Sequence, residues 1–160
     1  MAVDMFLKID GILGESRDDK HTDEIDIESF SWGESNGALG AGGSGAGAGK
    51  VSMQDFHFAA RFSKASPILF VSCASGKHFP KATLTVRKAG ERPLEFLKWE
   101  LSDIAISSYQ TGGSGGDEGP FDAFSLNFAK IEVAYKEQNA DGQLGKETRA
   151  GWDLKKNSEV

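Results

Sequence analysis

One hundred and sixty residues, 39% hydrophobic and 26% charged, suit a single domain, 1–160, with a core of its own. A net charge of −6 and a pI near 5.1 argue against a nucleic-acid partner, which would leave a basic stripe, and no apolar run reaches the length of a membrane span. The single cysteine, Cys73, rules out an internal disulfide and fits synthesis in a reducing cytoplasm.

The first residues have an early acid and lack the basic start, apolar core and cleavage site of a secretory signal. They read instead as a strand over 3–9, on the alternation Val3, Met5, Leu7, Ile9. A charged segment, Gly14 to Asp23, follows, then a strand over about 24–33. Residues 36–49 are a Gly/Ala-rich loop, too poor in side chains to pack a core. A strand over about 50–62 leads to one helix, with Ser66 as its cap, Pro67 at its first position and Gly76 just past its end. Apolar residues surround that helix (Ile68, Leu69, Phe70, Val71, Cys73, Ala74), so it is expected to be buried on more than one side. Strands through Ala82–Val86, Leu94–Tyr109 and Phe121–Tyr135 follow, with a second Gly-rich loop at 112–120 and a turn at Asp141-Gly142. Gly151-Trp152-Asp153-Leu154 closes the domain, for about seven strands in all.

Four of these strands alternate and then slip by one position. Ile25/Ile27 give way to Phe30/Trp32, and Val51/Met53 to Phe56, Phe58 and Phe62. Trp99/Leu101 give way to Ile104/Ile106, and Phe124, Leu126 and Phe128 to Ile131, Val133 and Tyr135. Bulges that keep one face inward are expected for at least two of the four, and a second buried surface against another subunit for the rest. Either way the class is mainly β: a β-barrel of two antiparallel sheets with one short α-helix at the side.

Motifs for chemistry are weak. Gly40-Ala-Gly42-Gly-Ser-Gly45 spells a dinucleotide pattern but leads into a strand, where the motif needs a helix N-terminus. Gly112-Gly-Ser114-Gly-Gly116 spells a nucleophile elbow, yet His21, His57 and His78 all lie upstream and a strand follows. Cys73 with His57 or His78 is a conceivable thiolate pair, but a cysteine in an apolar helix usually behaves as a small hydrophobe. The acids Asp10, Asp18, Asp19, Asp23, Glu24 and Asp26 lack calcium-loop order and read as a solvated face. No enzyme, metal or cofactor is expected.

The segments Ala-Val-Asp-Met-Phe-Leu-Lys-Ile (2–9), Glu-Ile-Asp-Ile (24–27), Ser31-Trp32-Gly33 and Lys50-Val51 with Gln54-Asp55 form a recognisable series. It continues through Ser75–Gly90, residues 111–116, Leu-Asn-Phe-Ala (126–129), Ala-Asp-Gly (140–142) and Gly-Trp-Asp (151–153). Carrying these in order, the chain closely resembles the Hcp (haemolysin-coregulated protein) family, the inner-tube proteins of bacterial type VI secretion. The resemblance implies a structural subunit whose homohexameric rings stack into a hollow tube. It implies a contractile sheath and a spike protein as partners, small protein effectors held in the lumen, no membrane insertion, and export from the bacterial cytoplasm to the outside or into target cells without an N-terminal signal. Ser31 lies between Phe30 and Trp32, so with those aromatics in the core it is the candidate lumen residue. The loop 36–49 supplies candidates for ring stacking: Gly37, Leu39, Gly43 and Gly49. Two other classes compete: a lipocalin-like barrel with one apolar cavity and no ring, and an enzyme using Cys73 or Ser114.

Overall fold

Residues 2–37, 50–116 and 118–160 are described by a computed structural model. In chain order they form β1 (Val3–Ile9), β2 (Ile25–Asp26), β3 (Ser29–Ser31), β4 (Glu34–Ser35), β5 (Ser52–Met53), β6 (Phe56–Arg61), α1 (Ser66–Ser75), β7 (His78–Lys88), β8 (Leu94–Gly112), β9 (Phe121–Asn127), β10 (Lys130–Gln138), β11 (Leu144–Asp153) and β12 (Ser158–Glu159). The stacking candidates Leu39, Gly43 and Gly49 lie outside the described residues.

The architecture hangs on β8. Its first half runs between β7 and β10, giving the order β12-β11-β10-β8-β7-β1-β2. Its second half pairs with β9 and continues through β6 to β3. The strand turns from one sheet to the other at Asp103, whose φ of 52° lies in the left-handed region that Asp tolerates better than most side chains. Opposite it sits Pro80, which has no N–H to offer the ladder at that point. On the other edge the chain leaves β9 at Asn127 and re-enters as β10 at Lys130, with Ala129 N–H donating to the Ser102 carbonyl at 3.0 Å.

The segment between β2 and β3 completes the wrap. Ile27 N–H bonds to Met5 on β1 at 2.9 Å, and the next residue, Glu28, bonds to Ala59 on β6 at 2.8 Å. The hydrogen-bonded path is therefore folded over as two antiparallel layers and is not a continuous closed cylinder; β4 and β5 form a small separate pair.

The four slips are resolved without bulges. Register shifts occur elsewhere, between Val86 and Arg87, Ile106 and Ser108, and Lys136 and Gln138. Three of the slips are breaks between separate strands (β2/β3, β5/β6, β9/β10), and the fourth is the turn at Asp103, across which the pairing with β7 keeps its register. Leu101 and Ile104 are both buried, as are Phe128 and Ile131, so a change of backbone direction returns the apolar residue to the same core. Not every slipped residue follows: Phe62 and Tyr135 are exposed. The breaks, with the short strands β4 and β12, give twelve strands among the described residues.

Between the layers lie Phe56, Phe58, Phe124, Leu126, Leu84, Leu101 and Ile104, all nearly inaccessible to solvent. Phe56 stacks on Phe58 at 5.1 Å, and Phe58 on Phe124 at 5.3 Å. Rings and aliphatic side chains from both layers pack together in this interior.

Two expectations for the helix fail. Its cap is Ala65, which makes no side-chain capping bond, while Ser66 turns inward. The Ser66 hydroxyl accepts the Ser63 N–H at 2.9 Å and donates to the buried Asp122 carboxylate, which also accepts from the Tyr109 hydroxyl at 2.7 Å. A buried carboxylate needs such donors, and that need overrides the local capping preference. The helix is also covered on one side only: Leu69 is buried, but Ile68, Phe70 and Val71 are exposed. Its far end follows expectation, with Gly76 at φ 69° and two bonds (Gly76 to Cys73, Lys77 to Ser72) closing a Schellman-type turn.

The acidic segment is not simply solvated. Arg87, itself buried, binds Asp18 and Asp4 and lies 4.8 Å over the Phe6 ring. His21 stacks on Phe6 at 4.5 Å and bridges Glu24 (3.0 Å) and Glu95 (2.5 Å). These contacts tie the loop onto β1 and β7. Gly14 is required there, since a Cβ would lie 2.5 Å from the Glu24 carbonyl oxygen.

Candidate functional site

Ser31 sits in β3 with Phe30 and Trp32 on either side, and pleating points the neighbours to the opposite face. Phe30 and Trp32 pack on Phe56, with ring centroids 5.8 and 6.3 Å away. Ser31 is exposed, as is Ser29. Cross-strand pairing extends this face in two rows. One runs Ser31, His57, Ser125, Ser108; the other runs Ser29, Ala59, Ala123, Gln110. Most of these side chains are exposed or half-buried, and Ser125 is covered by bonds to the Ser107 and Ser108 hydroxyls at 2.7 and 2.5 Å. The outer face of the sheet β3-β6-β9-β8 is thus mostly small and polar, with Arg61 and the exposed Phe121 in a third row at its end.

Sequence reasoning reached Ser31 but missed the rest of this face. Its signal was present in the polar or small partners of each alternation: His57 and Ala59 between Phe56, Phe58 and Ala60, and Ala123 and Ser125 around Phe124.

Two apolar features stand apart from that face. One is the exposed helix surface of Ile68, Phe70 and Val71, beside Tyr109, whose ring lies 6.5 Å from Phe70. Burial and then the Asp122 carboxylate push the Tyr109 phenol above its ordinary range, so it stays protonated as a donor. The other is an open groove of about 510 Å³ lined by Trp32, Trp99, Trp152, Met53, Ile131 and Val133, among others. Trp32 donates its indole N–H to the Gln54 carbonyl at 3.0 Å. Among the described residues the buried indole nitrogens of Trp99 and Trp152 have no acceptor, so these two rings offer the groove carbon surface.

The candidates for chemistry lie on separate elements. Ser114 lies in the connection from β8 to β9, where a strand follows and not the helix an elbow needs. Cys73 is half-buried against the core. His78 is exposed and pairs with Asp103 at 3.1 Å, and Lys155 reaches the same carboxylate at 3.0 Å. Bonds from Lys155 and then His78 hold the Asp103 carboxyl below its usual range. Among the described residues no cluster of His, Cys, Asp or Glu has the makings of a metal site, and no helix is long and apolar enough to cross a membrane. Gly37 is exposed at the end of the described segment, with open space around it.

The fold is a two-layer β structure with one flanking helix, a mostly polar sheet face and an exposed apolar helix surface. Residues 6–135 match the family model described as "Type VI secretion system effector, Hcp". The chain is 45% identical over 159 residues, 98% of each chain, to the protein hcp1 of Pseudomonas aeruginosa. It superposes on the crystal structure of Hcp1 from Salmonella typhimurium with a TM-score of 0.82 and 38% identity, covering 100% of both chains. A further structure, of a type six secretion system protein, gives a TM-score of 0.92 at 28% identity, covering 99% of this chain and 100% of that one. The chain belongs to the Hcp family of type VI secretion proteins.

Proposed function

We propose that this protein is the subunit of a secreted tube: six copies form a ring, rings stack, and the polar face of β3, β6, β9 and β8 lines the lumen. The observation that carries this reading is the division of the surface. One sheet face is mostly small and polar, as a channel wall in contact with water and cargo requires, while the helix face leaves large apolar groups exposed and the groove presents half-buried tryptophans. Monomeric proteins rarely leave such patches open. A cyclic ring covers them by heterologous contacts, in which one surface of a copy meets a different surface of the next.

In this reading Ser31 faces the lumen and touches small protein effectors. Gly37, with Leu39, Gly43 and Gly49 beyond it, belongs to the loop that contacts the adjacent ring. The contractile sheath and the spike protein are partners of the assembled tube, and the protein leaves the cytoplasm with it. Native mass spectrometry, with electron microscopy of the same sample, tests the core of this reading. Six-membered rings with a central hole are expected; a monomer at every concentration overturns it.

A further inference from the structure

Helix α1 carries Ile68, Phe70 and Val71 at 44, 61 and 52% exposure, with no charged residue from Ser66 to Gly76 and a lysine at each end, Lys64 and Lys77. The groove is its complement: concave, walled by aromatic and aliphatic groups, with Glu34 as its one charged lining residue among those described. A convex apolar ridge between two cations and a concave apolar trough beside an anion match in shape and in charge.

The two surfaces are also placed to meet. The sheet β3-β6-β9-β8 has two edges. β3 is one, and Trp32 of the groove directly follows it. The other is the end of β8, where β7 pairs no further than Ala105 and α1 packs alongside, bringing Phe70 to Tyr109. A single copy cannot bring its own opposite edges together, whereas a ring joins one edge of each copy to the other edge of the next.

We infer that the exposed face of α1 of one copy seats in the Trp32/Trp99/Trp152 groove of its neighbour, with Lys77 on the side of Glu34. This inference rests on the ring reading and names the contact that closes the ring. Trp and other large aromatic anchors in desolvated pockets dominate interfaces of this kind, and the ion pair at the rim sets orientation more than strength.

The chain's three tryptophans all line this groove, so their fluorescence reports its occupancy. Val71→Asp lies on the helix, away from the tryptophans, on an exposed position where the fold tolerates it. In the wild-type ring the tryptophans are expected to be shielded from acrylamide. Val71→Asp is expected to weaken assembly on the order of thirtyfold or more, as for a lost interface anchor, and to give a folded monomer with red-shifted, more readily quenched emission. A second set of variants works through charge: Lys77→Glu and Glu34→Lys each weaken assembly, and the double exchange restores it. If the wild-type protein forms no ring, the ring reading falls and this contact with it. A ring that survives Val71→Asp, equal quenching in ring and monomer, or a double exchange no better than either single change leaves the ring standing and overturns this contact, assigning the groove to another occupant.

Discussion

The sheet β3-β6-β9-β8 carries Phe56, Phe58, Phe124 and Leu126 on one face and Ser31, His57, Ala59 and Ala123 on the other, through the same backbone ladder. The hydrogen bonds are shared, so the contrast between the faces comes wholly from side chains. The inner face derives its stability from ring packing with almost no accessible surface. The outer face stays mostly small and wettable and contributes little to stability, so its residues are free to be set by other demands. A fold can in this way assign stability to one parity of residues and leave the other open to solvent.

The largest effect tests the inner face. Phe56→Ala removes a wholly buried ring that stacks with Phe30, Trp32 and Phe58 and meets Trp99 edge-on. A loss of about 3–5 kcal/mol is expected, read from the urea midpoint. Asp122→Ala comes next, because it strips the shared acceptor from Ser66 and Tyr109 and loosens α1 from β9. Leaving those hydroxyls unpaired should cost about 2–3 kcal/mol by the same measurement, with the helix amides exchanging faster than the sheet.

Asp103→Val follows. A β-branched residue cannot easily hold a φ of 52°, and the substitution also removes the partner of His78 and Lys155. About 1–2 kcal/mol is expected, with Asp103→Asn, which tolerates that conformation, close to wild type.

Acid should separate two carboxylates near β1, Asp18 in the loop before β2 and Asp26 in β2. The hydrogen bond from Arg87 is the main cause that holds the Asp18 carboxyl below its ordinary value. Its folded pKa lies under the unfolded one, so its stabilisation is present above about pH 4 and is lost as pH falls through the folded value. Burial, with the nearby charges of Asp18, Asp4 and Glu15, raises Asp26. Its folded pKa lies above the unfolded one, so the cost of its charge is relieved as pH falls through that value. Asp18→Asn should therefore flatten the acid loss of stability in urea titrations below about pH 4, and Asp26→Asn should not.

The alternating residues of the strands were legible in the sequence because period-2 patterning records which face is buried. The family was legible from motifs spread over nearly the whole chain. What local pattern could not convey is where a strand turns. Leu101 and Ile104 look like a slip to the other face, yet one left-handed residue, Asp103, returns both to a single core. Ser66 looked like a cap because its partner, Asp122, is distant in sequence and adjacent only in the fold. The exposed side of α1 was invisible for a related reason: composition records that a helix is apolar all round, and only the tertiary packing decides which part of it is covered.

The smallest effect falls on the outer face and is the most discriminating. Ser31→Gln changes an exposed side chain whose neighbours across the ladder are His57 and then Ser125. It leaves no cavity and no buried polar group, so the change in stability should stay within about 0.5 kcal/mol. The rings should assemble as in the wild type, since Ser31 lies apart from both the helix face and the groove lining. Cargo retention, measured as effector co-purifying with rings from secreting cells, should nonetheless fall, because a longer side chain repeated around the proposed lumen narrows it at every copy. Substitution by Trp should lower retention further while still sparing the ring. Collapse of the ring, or unchanged retention with both substitutions, would place Ser31 outside the lumen and return the contrast between the two faces to a matter of solubility alone.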